Sequence, residues 1–326
     1  MKLPRRKFLQ FVEAAAAAVL VILTGHVAWS QKTRAIKIVV PTAPGGTLDL
    51  VARLLGEQIG KAQGQTMVVE DRPGAGNVIG TEAVARAAPD GNTLLFNATD
   101  FVIHSHMRKV NYDPLTSFES ICHLVNLPTV LVVNRVSPYH MLADLLNAAR
   151  AMPGALTLAG FGPGSLYQIG FEILKRAANV DMTFVPYPGG PPVLNALLGE
   201  YVTSAIIGYS AVAEQLKAGK LRVLATASQT RIEPLSDVPT VAESGYKDYE
   251  INMWYGVVAP AKTPAERISQ LASWFATAMK VPEVKAKFAL QGLYPVGICG
   301  ADFGALIRKQ YDEYGRVIRE ANIKAE

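Results

Sequence analysis

The stretch "IKIVVPTAPGGTLDLVARLLGEQIG", Ile36 to Gly60, carries the decision about the fold. A β-branched apolar run closes in Pro41-Thr42-Ala43-Pro44-Gly45-Gly46, and a helical pattern opens with Thr47 and Asp49. The run reads as a strand, and apolar positions at Leu50, Val51, Leu54, Leu55 and Ile59 predict an amphipathic helix over Leu48–Ala62. Glycines at such a junction let the backbone approach a ligand closely and take positive φ. The helix behind them exposes free N–H groups and the positive end of its dipole, which suits a carboxylate or phosphate. The plainer alternative is a strand-to-helix turn in which Asp49 satisfies first-turn N–H groups.

The same grammar repeats along the chain. "TMVVED" and "TLLFNAT" read as strands around a helix over Gly80–Ala88, and "ESICHLVNLPTVLVVN" supplies two more. Helices follow over Met141–Met152, Ser165–Ala178 and Pro192–Leu198, interleaved with the strands "ALTLAG", "MTFVPY", "SAIIGY" and "LRVLATAS". Beyond "NMWYGVVAP" come three helical segments, the first introduced by Thr263-Pro264-Ala265-Glu266, a capping-box pattern. Strands alternating with helices predict parallel, doubly wound α/β sheets rather than a sandwich. Two lobes of similar size follow, residues 34–131 with 257–326 and residues 132–256, joined by hinge crossings near "LPTVLVVN" and "NMWYGVVAP". Ligands of open α/β sheets sit beyond the carboxyl ends of the strands, which here would face a shared cleft.

The bulk properties narrow the function. A chain of 326 residues, half of them hydrophobic, can bury a sizeable core. Its net charge of +5 is concentrated at the start, where Lys2, Arg5, Arg6 and Lys7 face the single acid Glu13. The remaining basic residues are scattered, which argues against a nucleic-acid partner. Residues 1–30 have the layout of an export signal, with a basic start, a short apolar run from Ala14 to Leu23 and a small-residue site at Ala28-Trp29-Ser30. The "RRKFLQ" segment is similar to a twin-arginine signal. A periplasmic destination is expected, with cleavage before Gln31 and no lipobox cysteine. Cys122 and Cys299 are far apart; one disulfide is open to them, but two unpaired buried thiols are the favoured reading.

Two further glycine-rich junctions resemble the first. In "AGFGPGSLYQIGFE", Gly160, Gly162 and Gly164 precede Ser165, which suits both an N-cap and a hydroxyl donor to a ligand. In "VPYPGGPP", Tyr187 and the Gly189-Gly190 pair again join strand to helix. The rival motif is Gly74-x-Gly76-x-x-x-Gly80, which would make the chain an NAD(P)-linked oxidoreductase; its spacing is wrong for a pyrophosphate loop, and Asp71-Arg72-Pro73 intervenes after the strand. His104 and His106 read as a solvated loop pair, and neither a metal-ligand pattern nor a catalytic acid–base pair stands out. No cofactor, metal or catalytic residue is expected.

The segments "IKIVVPTAPGGTLDLVARLLGEQIGKAQGQTMVVEDRPGAGNVIGTEAVARAAPDGNTLLF", "FVPYPGGPPVLNALLGEYV", "LKAGKLRVLATAS", "PLSDVPTVAESGY" and "WYGVVAPAKTPAERI" resemble, in order, the substrate-binding proteins of tripartite tricarboxylate transporters, the Bug-type receptors. The resemblance implies a two-lobed periplasmic-binding-protein fold of Venus-flytrap, type II-like form. It also implies a small organic acid ligand, membrane permease subunits as partners and a monomer without catalysis. Carried onto this chain, Ala43, Gly45, Gly46 and Thr47 would hold one end of the ligand. Phe161, Gly164, Ser165, Tyr187, Gly189 and Tyr209 would act from the other lobe, and Thr99 and Asp100 from a short polar loop. Ser165-Leu166-Tyr167-Gln168 departs from the family's serine/threonine-rich run and suggests a less polar ligand. Ile207-Gly208-Tyr209 lacks an acid or amide found in relatives, which argues against an amino-acid ligand; Asp100 is the counterweight. A ligand-sensing component of a periplasmic signalling system is the remaining alternative.

Overall fold

The computed structural model describes residues 35–162 and 164–323. The expected export signal lies outside the described residues. From Ile36 onward the chain forms one compact unit containing two mixed sheets.

The first sheet opens with β1 (Ile36–Val40), which buries every residue but Lys37 and stops where Pro41 removes an N–H. Helix α1 (Thr47–Gln63) follows and ends on Gly64 in the left-handed region (φ 65°). Its buried Leu48, Val51, Leu55 and Ile59 each contribute about 1.5–3 kcal/mol of apolar burial. Val51, Leu55 and Ile59 are buried as expected, while Leu50 is exposed and Leu54 half-buried, because the buried face is centred toward Leu48 and Ala52 instead. Strand β2 (Met67–Asp71), helix α2 (Val78–Ala85), strand β3 (Thr93–Ala98) and helix α3 (Asp100–Met107) complete the first passage.

Strand β4 (Phe118–Leu127) belongs to the first sheet and β5 (Thr129–Asn134) to the second, with Pro128 alone between them. The second sheet then gains α4 (Leu142–Ala151), β6 (Thr157–Phe161), α5 (Leu166–Ala177), β7 (Thr183–Tyr187), α6 (Gly190–Leu198), β8 (Ser204–Gly208), α7 (Tyr209–Lys217) and β9 (Leu221–Thr226). The chain returns as β10 (Met253–Pro260) and finishes with α8 (Ala265–Ala278), α9 (Pro282–Leu290), β11 (Tyr294–Cys299) and α10 (Ala301–Glu320).

Strand order is β11-β4-β10-β3-β1-β2 in one sheet and β7-β6-β8-β5-β9 in the other. The expectation of parallel sheets holds for β2-β1-β3 and β7-β6-β8 and fails elsewhere. The strands that carry the chain between sheets, and those beside them, pair antiparallel. A chain leaving one sheet as β4 and re-entering it as β10 must run back against its own exit strand. That constraint overrides the helical crossover rule that makes neighbouring strands parallel.

Two other expectations are corrected. Helix α8 is capped by Pro264 with no side-chain hydrogen bond, and Thr263 donates its hydroxyl to the Pro260 carbonyl at 2.7 Å, so no capping box forms. Cys122 and Cys299 are not free thiols: they form a disulfide between paired positions of β4 and β11. Sequence distance concealed the neighbourhood, because β11 reaches β4 only after the chain has been through the second sheet.

Candidate functional site

The first glycine junction folds back on itself through Asp49. Gly45 sits at φ 83°, a conformation that favours glycine, and donates its N–H to Asp49 Oδ2 at 2.8 Å. Arg53 bridges Asp49 and Asp71, each at 2.7 Å. Burial and the neighbouring Asp49 push the Asp71 carboxyl up, and Arg53 opposes the shift. Asp49 therefore consumes the Gly45 N–H. The Gly46 and Thr47 N–H groups, at the start of α1, meet no acceptor among the described residues. Gly46 is exposed at φ −75°, and a Cβ placed there would meet only the Ala43 carbonyl at 3.6 Å. Ala43 is exposed beside it.

The second junction is more completely satisfied. Ser165 caps α5 as expected, accepting the Gln168 N–H at 3.3 Å, while its hydroxyl donates to the Phe161 carbonyl at 2.7 Å. Gly164 lies at φ 71° and donates its N–H to Gln168 Oε1 at 2.7 Å. The Ser165 hydroxyl is thus engaged inside its own loop. Gly162 N–H donates to the Tyr187 carbonyl at 2.9 Å, tying this loop to the third junction. There Gly189 adopts φ 155° and caps α6, whose Pro191 and Pro192 leave Gly190 as the one N–H donor among its first three residues. The Phe161 ring would lie 3.6 Å from a Cβ on Gly190.

Groups from both sheets meet around Asp100. The Asp100 charge bears on the hydroxyls of Tyr167 in α5 and Tyr255 in β10 and helps push both phenols up, Tyr255 to about 12, with burial the larger cause. The Tyr255 hydroxyl lies beside that of Thr47. The Tyr167 hydroxyl lies beside Thr129 at the start of β5 and the backbone of Gly208, and its ring meets Phe161 edge-on at 4.4 Å. Thr129 is fully buried, and its Oγ1 satisfies no hydrogen-bond geometry. Close packing across the sheets continues nearby: a Cβ on Gly164 would fall 2.5 Å from Met107 Cε, and one on Gly292 3.1 Å from Ser210 Cβ.

Thr47, Asp100, Phe161, Gly164 and Ser165 are therefore assembled around Tyr167 and Tyr255, with Tyr187 and Gly189 joined through the Phe161 loop. Thr99 is fully buried, and its Oγ1 accepts the Trp254 N–H at 3.0 Å, pinning β10 rather than facing the site. Tyr209 is anchored through its N–H to the Pro128 carbonyl at 2.8 Å, where β4 passes into β5.

His104 and His106 are corrected. They lie on α3, half-buried, not in a solvated loop. His104 stands one turn beyond Asp100, and burial holds its pKa below the ordinary value despite the neighbouring carboxylate. The His106 Nε2 is 2.9 Å from the Tyr311 carbonyl. Sequence reading missed α3, because "DFVIHSHM" packs three apolar residues together without helical spacing. It missed Tyr255 too, inside a strand that reads as pure hinge. The i, i+4 spacing of Asp100 and His104 was the available signal. No cluster of metal-ligating side chains occurs among the described residues, and none of their helices is long and apolar enough to cross a membrane.

The sequence profile of the Tripartite tricarboxylate transporter family receptor matches residues 51–323. Protein BugT of Bordetella pertussis is 32% identical over 294 residues, spanning 89% of this chain and 90% of BugT. A protein of R. palustris solved with adipate is 30% identical and superimposes with a TM-score of 0.74, covering 90% of this chain and 99% of that one. MatC from Rhodopseudomonas palustris, solved with bound malate, is 27% identical with a TM-score of 0.69, covering 88% and 99%. Family profile, Bug-type relative and fold agree: this chain belongs to the tripartite tricarboxylate transporter receptor family.

Proposed function

We propose that the protein is a periplasmic solute receptor that binds a small organic acid between its two sheets and delivers it to a membrane permease of the tripartite tricarboxylate type. The observation that carries this reading is the convergence of strand-to-helix junctions from both sheets on one locus, with unclaimed N–H groups at Gly46 and Thr47. The two sheets act as lobes that close about the chain crossings at Pro128 and between β9 and β10. One carboxylate of the ligand takes the Gly46 and Thr47 N–H groups at the start of α1. Tyr167 and Tyr255 border the remainder of the ligand, and the Phe161–Ser165 and Tyr187–Gly190 loops close over it. The relatives solved with adipate and malate support the ligand class. The chain binds without turnover, as a monomer, and the basic, apolar N-terminal layout directs export.

The test is a thermal-shift screen of the purified protein against mono-, di- and tricarboxylates, aromatic acids, amino acids and nucleotides. A ligand held by the native state alone raises the melting temperature in proportion to the logarithm of its concentration above Kd. A shift with one acid class supports the receptor. A shift with NAD(P) alone overturns it and redirects attention to Gly74–Gly80.

A further inference from the structure

Asp100, like half-buried Glu172 and Glu313, lacks the partners that other carboxylates of the molecule hold, and of these three it alone belongs to the candidate site. Asp49 accepts the Gly45 N–H and meets Arg53, Asp144 accepts the N–H groups of His140 and Met141, and Glu243 accepts the Thr240 N–H and meets Arg231. Asp100 accepts no hydrogen bond and makes no ion pair among the described residues, although it is half-buried at the centre of the candidate site. The groups facing it are His104, Arg108, Tyr112, Tyr167 and Tyr255. His104 makes no hydrogen bond to the carboxylate and burial lowers its pKa, while exposed Arg108 turns Nη1 to the Ala75 carbonyl at 3.2 Å, so neither closes on the carboxylate. A desolvated carboxylate without a donor is costly unless a partner arrives.

We propose that the ligand supplies that partner: it is a zwitterion whose ammonium group pairs with Asp100 while its carboxylate takes the start of α1. The proposal rests on the receptor reading above and narrows its substrate class to amino-bearing acids. The Ile207-Gly208-Tyr209 segment of the second sheet carries no acid or amide, and Ile207 is fully buried. Asp100 supplies the acid from the opposite sheet. Tyr167 and Tyr255 beside it offer aromatic surface that suits a cationic head.

The experiment is calorimetric titration of the purified protein with matched series: succinate, malate and aspartate; glutarate and glutamate; adipate and 2-aminoadipate. The expected result is that the amino member of at least one series binds on the order of tenfold to a hundredfold more tightly than its plain acid, the range set by a hydrogen bond to a charged group. In Asp100→Asn that preference disappears. A plain or hydroxy acid binding as tightly as its amino partner in every responding series overturns the proposal and leaves the carboxylate receptor standing. An amino preference that survives in Asp100→Asn also overturns it. Absence of heat from every member overturns the receptor reading as well, a pattern distinct from binding of plain acids only.

Discussion

Reduction of the Cys122–Cys299 disulfide offers a prediction whose size follows from the topology. The bond closes a loop of 177 residues that encloses the whole second sheet. Chain-entropy arguments assign such a closure about 5 kcal/mol, and measured disulfides deliver about 2–4 kcal/mol. In a chain of this size that is worth roughly 3–8 °C of melting temperature. The loss should concentrate at β11, an edge strand with no fully buried residue and a register break between Pro295 and Ile298. Calorimetry of the protein with and without dithiothreitol gives the shift, and hydrogen exchange of the β11 amides gives its location. Cys122→Ala/Cys299→Ala should melt like the reduced protein and stay indifferent to reductant. Identical melts in both states, with two titratable thiols in the unreduced denatured chain, would refute the pairing and the reasoning built on it.

Four further outcomes are expected. Gly46→Val should lose acid binding while keeping its melting temperature within a few degrees, because its φ of −75° suits any residue and its Cβ meets only one atom; wild-type affinity would remove the first loop from the site. Asp100→Asn should raise the melting temperature of the ligand-free protein at neutral pH, since a carboxyl whose native pKa is raised costs stability above that pKa; an unchanged or lower melt would mean the carboxylate is paired. Burial lowers the pKa of His104, His106 and His123. The unfolded chain therefore binds more protons just below the ordinary value of 6.5, and urea midpoints should fall as pH drops from 6.5 toward 5; a flat profile contradicts buried neutral imidazoles. Gly256→Ala should destabilise the fold by about 1–3 kcal/mol, because the new methyl meets the Phe303 ring at 2.5 Å and the Cys122 carbonyl at 3.1 Å; a urea midpoint equal to wild type would show that Phe303 yields freely.

The local grammar of this protein is legible in its residues. β-branched runs closed by proline or glycine became strands, and apolar spacing placed α1, α2, α4, α5 and α6 within a few residues of their observed bounds. The three glycine junctions stand where positive φ favours glycine, as at Gly45, Gly164 and Gly189. Motif order along the chain also marked the family. These features are legible because each depends on neighbours a few positions away.

Tertiary structure decided everything that depends on where the chain returns. The antiparallel middle of each sheet, the Cys122–Cys299 bond and the burial of Thr99 against Trp254 all join residues more than seventy positions apart. The meeting of Asp100 with Tyr167 and Tyr255 joins residues 67 and 155 positions apart. No local pattern shows that Asp100 is left without a donor, whereas Ser165 and Asp49 find theirs three or four residues away. Those differences arise from which donors the fold brings within about 3 Å, a distance that periodicity along the chain does not encode.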